Sequence, residues 1–195
     1  MSRLQPLPRE AVPGLESVFG IKEATLGFVP NSALTMARWP ELARAYGELS
    51  MAISAVRHLP EGLSNLVFLV ASLAGGCRYC QAHSVGAGIR KGVDPVKLTK
   101  VWEFESSPLF TDAERAALRL ALAAGATPTT VTDEHFDELK VHFSEAAIVE
   151  IVGVVAFSGF MNRWNATMGT TLEAEPREAA ERLLADIGWD VGSHG

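Results

Sequence analysis

The stretch that decides the fold is LSNLVFLVASLAGGCRYCQAH, residues 63–83. Leu63, Leu66, Val67, Val70, Ala71 and Ala74 recur at i, i+3 and i+4, so one face of a 3.6-residue helix is apolar. Gly75 and Gly76 end that helix, because two residues without a Cβ let the chain turn tightly. A second helix is expected from about Cys77 to Arg90, stopped by Gly92. The result is a helical hairpin with a C-x-x-C pair at the N-terminus of its second helix.

Reading outward, the same logic makes the whole chain helical. Residues 40–56 carry apolar residues at helical spacing, with Pro40 in the first turn. Pro60 and Glu61 open the helix of the deciding stretch, and Asp94 and Pro95 read as N-cap and first helical residue of a later one. Thr111 and Glu114 match a capping box leading into 115–124. Further helices are expected from Thr132 to about 141, from the Ser144 cap through 145–168, and over 177–187. The Val-rich IVGVVAF could pass for a strand, but it lies inside the longer capped pattern and reads as helix. Residues 146–160 are apolar on nearly every side, as expected of a helix that is central or buried between subunits. The division expected is a proline-rich N-terminal arm over 1–24, a helical domain over 25–175, and a C-terminal helix and tail over 176–195.

With 195 residues, 48% of them hydrophobic, the chain can bury a core without staples and is not disordered. The net charge of -6 argues against nucleic acid or an anionic membrane as partner. Only two cysteines exist, too few for a disulfide scaffold. The N-terminus has no apolar leader, and the apolar run over 146–161 is interrupted by Glu150 and short for a bilayer. A cytoplasmic, reducing setting is expected. There a C-x-x-C pair is redox-active or metal-binding more often than structural.

The chemistry concentrates in residues 75–84. A cysteine in the first turn of a helix meets unpaired N–H groups and the positive dipole end, which stabilise its thiolate. Cys80 lies one turn on, within disulfide reach of Cys77, and His83 and Ser84 stand at i+3 and i+4 from Cys80. Zinc would need two more ligands, and no second cysteine pair or histidine pair supplies them. A thioredoxin-like site would need a βαβ context, which is missing. An inert buried pair is the plainer alternative. Nothing in the sequence demands haem, flavin or a metal, so no cofactor is expected.

The segments LSNLVFLVASLAGGCRYCQAH, LGFVPNSALTMARWPELARA, FTDAERAALRLALAA and NRWNATMGTTLE together resemble the AhpD-like (alkylhydroperoxidase D) branch of the carboxymuconolactone decarboxylase-like superfamily. The resemblance covers about residues 25–175. It implies an all-helical fold, assembled as trimers or hexamers, and a thiol peroxidase cycle on hydrogen peroxide or organic hydroperoxides. In that cycle Cys80 is the peroxidatic thiol, Cys77 resolves its sulfenic acid to a disulfide, and an external dithiol protein reduces the disulfide. The family's proton relay uses a Glu and a His at positions that are Asn65 and Ser84 here. Two substitutes are open: His83 as the base, and Glu61, one helical turn before Asn65, as the carboxylate, although the plainer reading of Glu61 is a carboxylate favoured by the helix dipole at an N-terminus. Alternative activities on the same scaffold are a carboxymuconolactone decarboxylase-like lyase and a non-enzymatic redox sensor. Tyr79, between the thiols, is a candidate pocket residue. Arg163 is expected in a structural ion pair, Trp102 and Trp164 in the core or an interface, and His135 and His142 on the surface.

Overall fold

In the computed structural model, which describes residues 2–195, ten α-helices and no β-strand occur among the described residues. They are α1 (Glu16–Leu26), α2 (Asn31–Met36), α3 (Pro40–Ser54), α4 (Leu63–Ala74), α5 (Arg78–Arg90), α6 (Pro95–Thr99), α7 (Asp112–Gly125), α8 (Asp133–His142), α9 (Glu145–Met168) and α10 (Ala174–Leu183). The apolar stripe of α4 makes it the hub: it packs on α5, α7 and α9. Leu66, Val67, Leu69 and Val70 are buried there, each burial contributing about 1.5–3 kcal/mol. Helix α1 forms a smaller cluster with α2 and α3 through Leu15, Val18, Phe19, Ala37 and Ala43. The N-terminal arm expected over 1–24 thus includes most of a packed helix.

The caps fall where the residue types put them. The Asp94 carboxylate accepts from Val96 N–H at 2.8 Å, with Pro95 at the first helical position. Thr111 and Glu114 close a reciprocal capping box. Thr132 makes the same box with His135 instead of a Glu, so His135 caps α8 at the surface. The Ser144 hydroxyl accepts from Ala147 N–H, and α9 runs unbroken to Gly169, whose φ of 56° ends it. The Val-rich segment is therefore helix.

Two expectations need correction. Helix α4 starts at Leu63 and not at Pro60, because Gly62 takes φ 80° just before it. The apolar run over 146–161, expected to be short for a bilayer, lies within the 24-residue α9, a helix long and apolar enough by length and composition to cross a membrane. Its packing accounts for its apolarity on one face only. Ile148, Ile151, Val154, Ser158 and Asn162 are buried against the core, whereas Val149 is 71% exposed and Val152 and Phe160 are also exposed. Arg163 stands on that bare side and joins no ion pair within the chain among the described residues. Trp102 and Trp164 are partly buried against the core.

Candidate active site

The hairpin turn between α4 and α5 is a Schellman motif. Gly76 N–H donates to Leu73 O at 2.9 Å and Cys77 N–H to Ser72 O at 3.0 Å, with Gly76 at φ 67°. A Cβ on Gly75 would lie 2.7 Å from Asn162 Nδ2, so a side chain there would collide with α9. The turn delivers Cys77 to the N-cap position of α5, where its sulfur does what a Ser or Asp oxygen usually does: it accepts the Cys80 N–H at 3.4 Å.

The two sulfurs sit in different environments. Cys77 is held down to about 5: the Cys80 thiol donates to it, which outweighs burial, and His194 and the Cys80 N–H add to the effect. Cys80 is pushed well up, first by burial and then by the negative Cys77 beside it. One proton is therefore shared by the pair, with the charge resting on Cys77. Cys80 lines the cavity, and its sulfur accepts from Asn165 Nδ2 of α9 at 3.5 Å. His194, buried, hydrogen-bonds Thr170 O through Nδ1 at 2.8 Å, which orients the ring beside Cys77.

The imidazole of His83 is anchored by a carboxylate that the sequence did not single out. Glu173, at the N-cap of α10, takes His83 Nε2 at 2.7 Å on one oxygen. On the other it accepts Tyr79 Oη at 2.9 Å and Asn31 N–H at 2.5 Å. Burial would raise Glu173, but these donors, His83 foremost, hold it below the usual carboxylate range. The Tyr79 ring stacks on His83 with centroids 4.3 Å apart. Glu173 closes the quoted NRWNATMGTTLE segment, yet nothing in its local pattern ties it to a histidine 90 residues away.

Of the expected site residues, Cys80, His83, Ser84, Tyr79 and Asn65 all line one cavity of about 130 Å³. Cys77 lies directly behind Cys80 rather than in the wall. Ser84 Oγ donates to Asn65 O at 3.0 Å, a contact between α4 and α5. Glu61 lies outside: it is exposed, in the turn before Gly62, so it never joins the face of α4 that carries Asn65. The remaining wall is largely aromatic and aliphatic, with Tyr46, Ile53, Phe68, Phe157 and Met161, and it includes Lys22 from α1.

The chain is similar to several known proteins. Residues 40–123 match the profile of the carboxymuconolactone decarboxylase family. The uncharacterized protein YnjA of Escherichia coli (strain K12) is 36% identical over 93 residues, 47% of this chain and 50% of the relative, so the match spans about half of that relative's length. The crystal structure of the debrominase Bmp8 superposes with a TM-score of 0.89 at 40% identity, over 94% of this chain and 98% of that one. A cysteine-to-alanine variant of that debrominase has been crystallised with 2,3,4-tribromopyrrole. An uncharacterized peroxidase-related protein from Ralstonia eutropha JMP134, described as an alkylhydroperoxidase AhpD core, superposes at 0.78 with 26% identity over 90% of this chain and 94% of its own.

Proposed function

Because the chain belongs to the carboxymuconolactone decarboxylase family, in its AhpD-like branch, we propose that it is a dithiol-dependent peroxidase acting on small organic hydroperoxides. The observation that carries this reading is the placement of the Cys80 sulfur in the cavity wall with the Cys77 thiolate directly behind it. When a hydroperoxide enters, the Cys80 proton passes to Cys77, and the Cys80 thiolate attacks the outer peroxide oxygen. The O–O bond breaks, the alkoxide takes the proton from Cys77, and Cys80 becomes a sulfenic acid. Cys77, a thiolate again, attacks that sulfur; the S–S bond forms and hydroxide leaves as water with one further proton. His83, fixed by Glu173, is the group placed to deliver it. Two thiols are oxidised and one peroxide is reduced. An external dithiol restores the pair by exchange.

A second reading is reductive dehalogenation of a small aromatic ring. It is favoured by the 40% identity to a debrominase over nearly the whole chain and by the ring-lined cavity. Here the Cys80 thiolate takes the halogen, the ring carbon takes a proton, and Cys77 expels halide as the disulfide closes. The electron count is the same, so the two readings share one machinery and differ in the acceptor.

The test is turnover with excess dithiothreitol, with cumene hydroperoxide in one arm and 2,3,4-tribromopyrrole in the other. Wild type should consume one of them, and both Cys80→Ser and Cys77→Ser should lose sustained turnover. Full activity in Cys80→Ser contradicts the proposal in either form. The reading also includes a protein dithiol reductant and a homo-trimer or hexamer. The bare strip of Val149, Val152 and Phe160 along α9 supports the latter.

A further inference from the structure

Lys22 is the group in the cavity that the thiol chemistry leaves unused. It is only 2% exposed, on α1, and it lines the same cavity as Cys80. Its Nζ donates to Ser50 Oγ at 2.5 Å and lies 3.8 Å from the centre of the Tyr46 ring, both on α3 and one helical turn apart. Among the described residues it enters no ion pair. A buried ammonium needs an anion or a full set of acceptors, and here a hydroxyl and a π face are what it has. Burial accordingly lowers it from 10.5 to about 7. The other titratable groups in the wall are Tyr46, Tyr79, Cys80, His83 and Lys91, with Glu173 behind Tyr79 and His83.

The cavity is polarised by this arrangement. Tyr46 offers its ring face to Lys22, while its buried hydroxyl hydrogen-bonds Ser32. An anionic group would be attracted to Lys22 and repelled from the Cys77 thiolate and the Glu173 carboxylate. A cavity of about 150 Å³ is known to admit one benzene ring, and this one, at about 130 Å³, is of that order.

We infer that Lys22 is a binding residue for the acidic group of an aromatic ligand, a ring carrying an ionisable hydroxyl, ring N–H or carboxyl that enters as its anion. The anion pairs with Lys22 against Ser50, the ring packs among Tyr46, Phe68 and Phe157, and the reducible group is left facing Cys80. This inference rests on reading the cavity as the substrate pocket, and it deepens that reading by naming the substrate class.

The test is binding rather than turnover, so failure of the redox chemistry leaves it readable. The probes are 4-nitrophenol, whose anion is yellow, and its methyl ether 4-nitroanisole, which cannot ionise. Each is titrated into the Cys80→Ser protein and into the same protein carrying Lys22→Met. With Lys22 present, nitrophenol should bind at least tenfold more tightly than nitroanisole. It should also be bound as the yellow anion at a pH where free nitrophenol is mostly colourless. In Lys22→Met the yellow signal and the tenfold preference should vanish, with nitroanisole affinity unchanged. Nitrophenol bound as the neutral phenol, absence of binding, or an equal loss of both probes in Lys22→Met would overturn the inference. The colour of the bound probe decides the matter in the Lys22 protein even if the variant fails to fold.

Discussion

Cys77 and Cys80 are one helical turn apart and carry opposite electrostatic burdens. The first gains a helix N-terminus, the Cys80 donor and His194; the second gains burial and a neighbouring negative charge. Ultraviolet titration should therefore show one thiolate per chain persisting to about pH 5 and lost below it. His194→Ala should move that loss upward, because a donor to Cys77 is removed; an unmoved titration would take His194 out of the site. His83→Ala should lower turnover on the order of a hundredfold, the usual weight of a positioned proton donor. Ser84→Ala should change it little, since that hydroxyl is spent on Asn65 O. Equal small effects would deny His83 its role. The thiols and His83 were legible because they share one helix. Glu173 was not, because the contact that gives it meaning spans 90 residues. Lys22 leaves one trace in the sequence: it interrupts the apolar spacing of Leu15, Val18, Phe19 and Leu26.

At the level of helices, capping chemistry carried the reading. Pro40, Asp94, Thr111 and Ser144 each begin a helix at the position their side chains favour. The start of α4 was missed because Gly62 adopts a left-handed conformation that removes Pro60 and Glu61 from the helix, and with them the proposed carboxylate. Gly76 is left-handed for the opposite purpose, to stop α4 and present Cys77. A Cβ there meets nothing within 4 Å, so the cost of Gly76→Ala is the backbone conformation alone, about 1 kcal/mol. Urea unfolding should read that value. A much larger loss would mean that contacts other than the backbone conformation hold the turn. Gly75→Ala should cost more, because its Cβ must displace Asn162.

For the whole molecule, burial of Lys22 makes stability depend on pH. Its value falls from 10.5 to about 7 on folding, so the unfolded chain binds more protons between those limits and stability rises with pH across them. Cys77 acts in the same direction lower down: its contribution is complete above about 9 and lost as pH falls through about 5. Lys22→Met should remove the rise between about 7 and 10.5, stabilising the protein at pH 7 by on the order of a few kcal/mol, while the Cys77 contribution remains. Denaturant midpoints of the two proteins across that range provide the check. The all-α architecture was legible from periodicity. The bare outer face of α9 was not, since an all-round apolar helix gives no sign of which side a single chain covers.

The central claim is that Cys80 takes the oxidising atom and Cys77 resolves it. Intact-mass analysis of Cys77→Ser after one equivalent of cumene hydroperoxide, with dimedone present, tests this most directly. Cys77→Ser should carry a single dimedone adduct mapped to Cys80, and the wild type no adduct but a mass two hydrogens lower, the internal disulfide. An unmodified Cys80 in the variant, or an adduct on Cys77 in Cys80→Ser formed as fast, would contradict it.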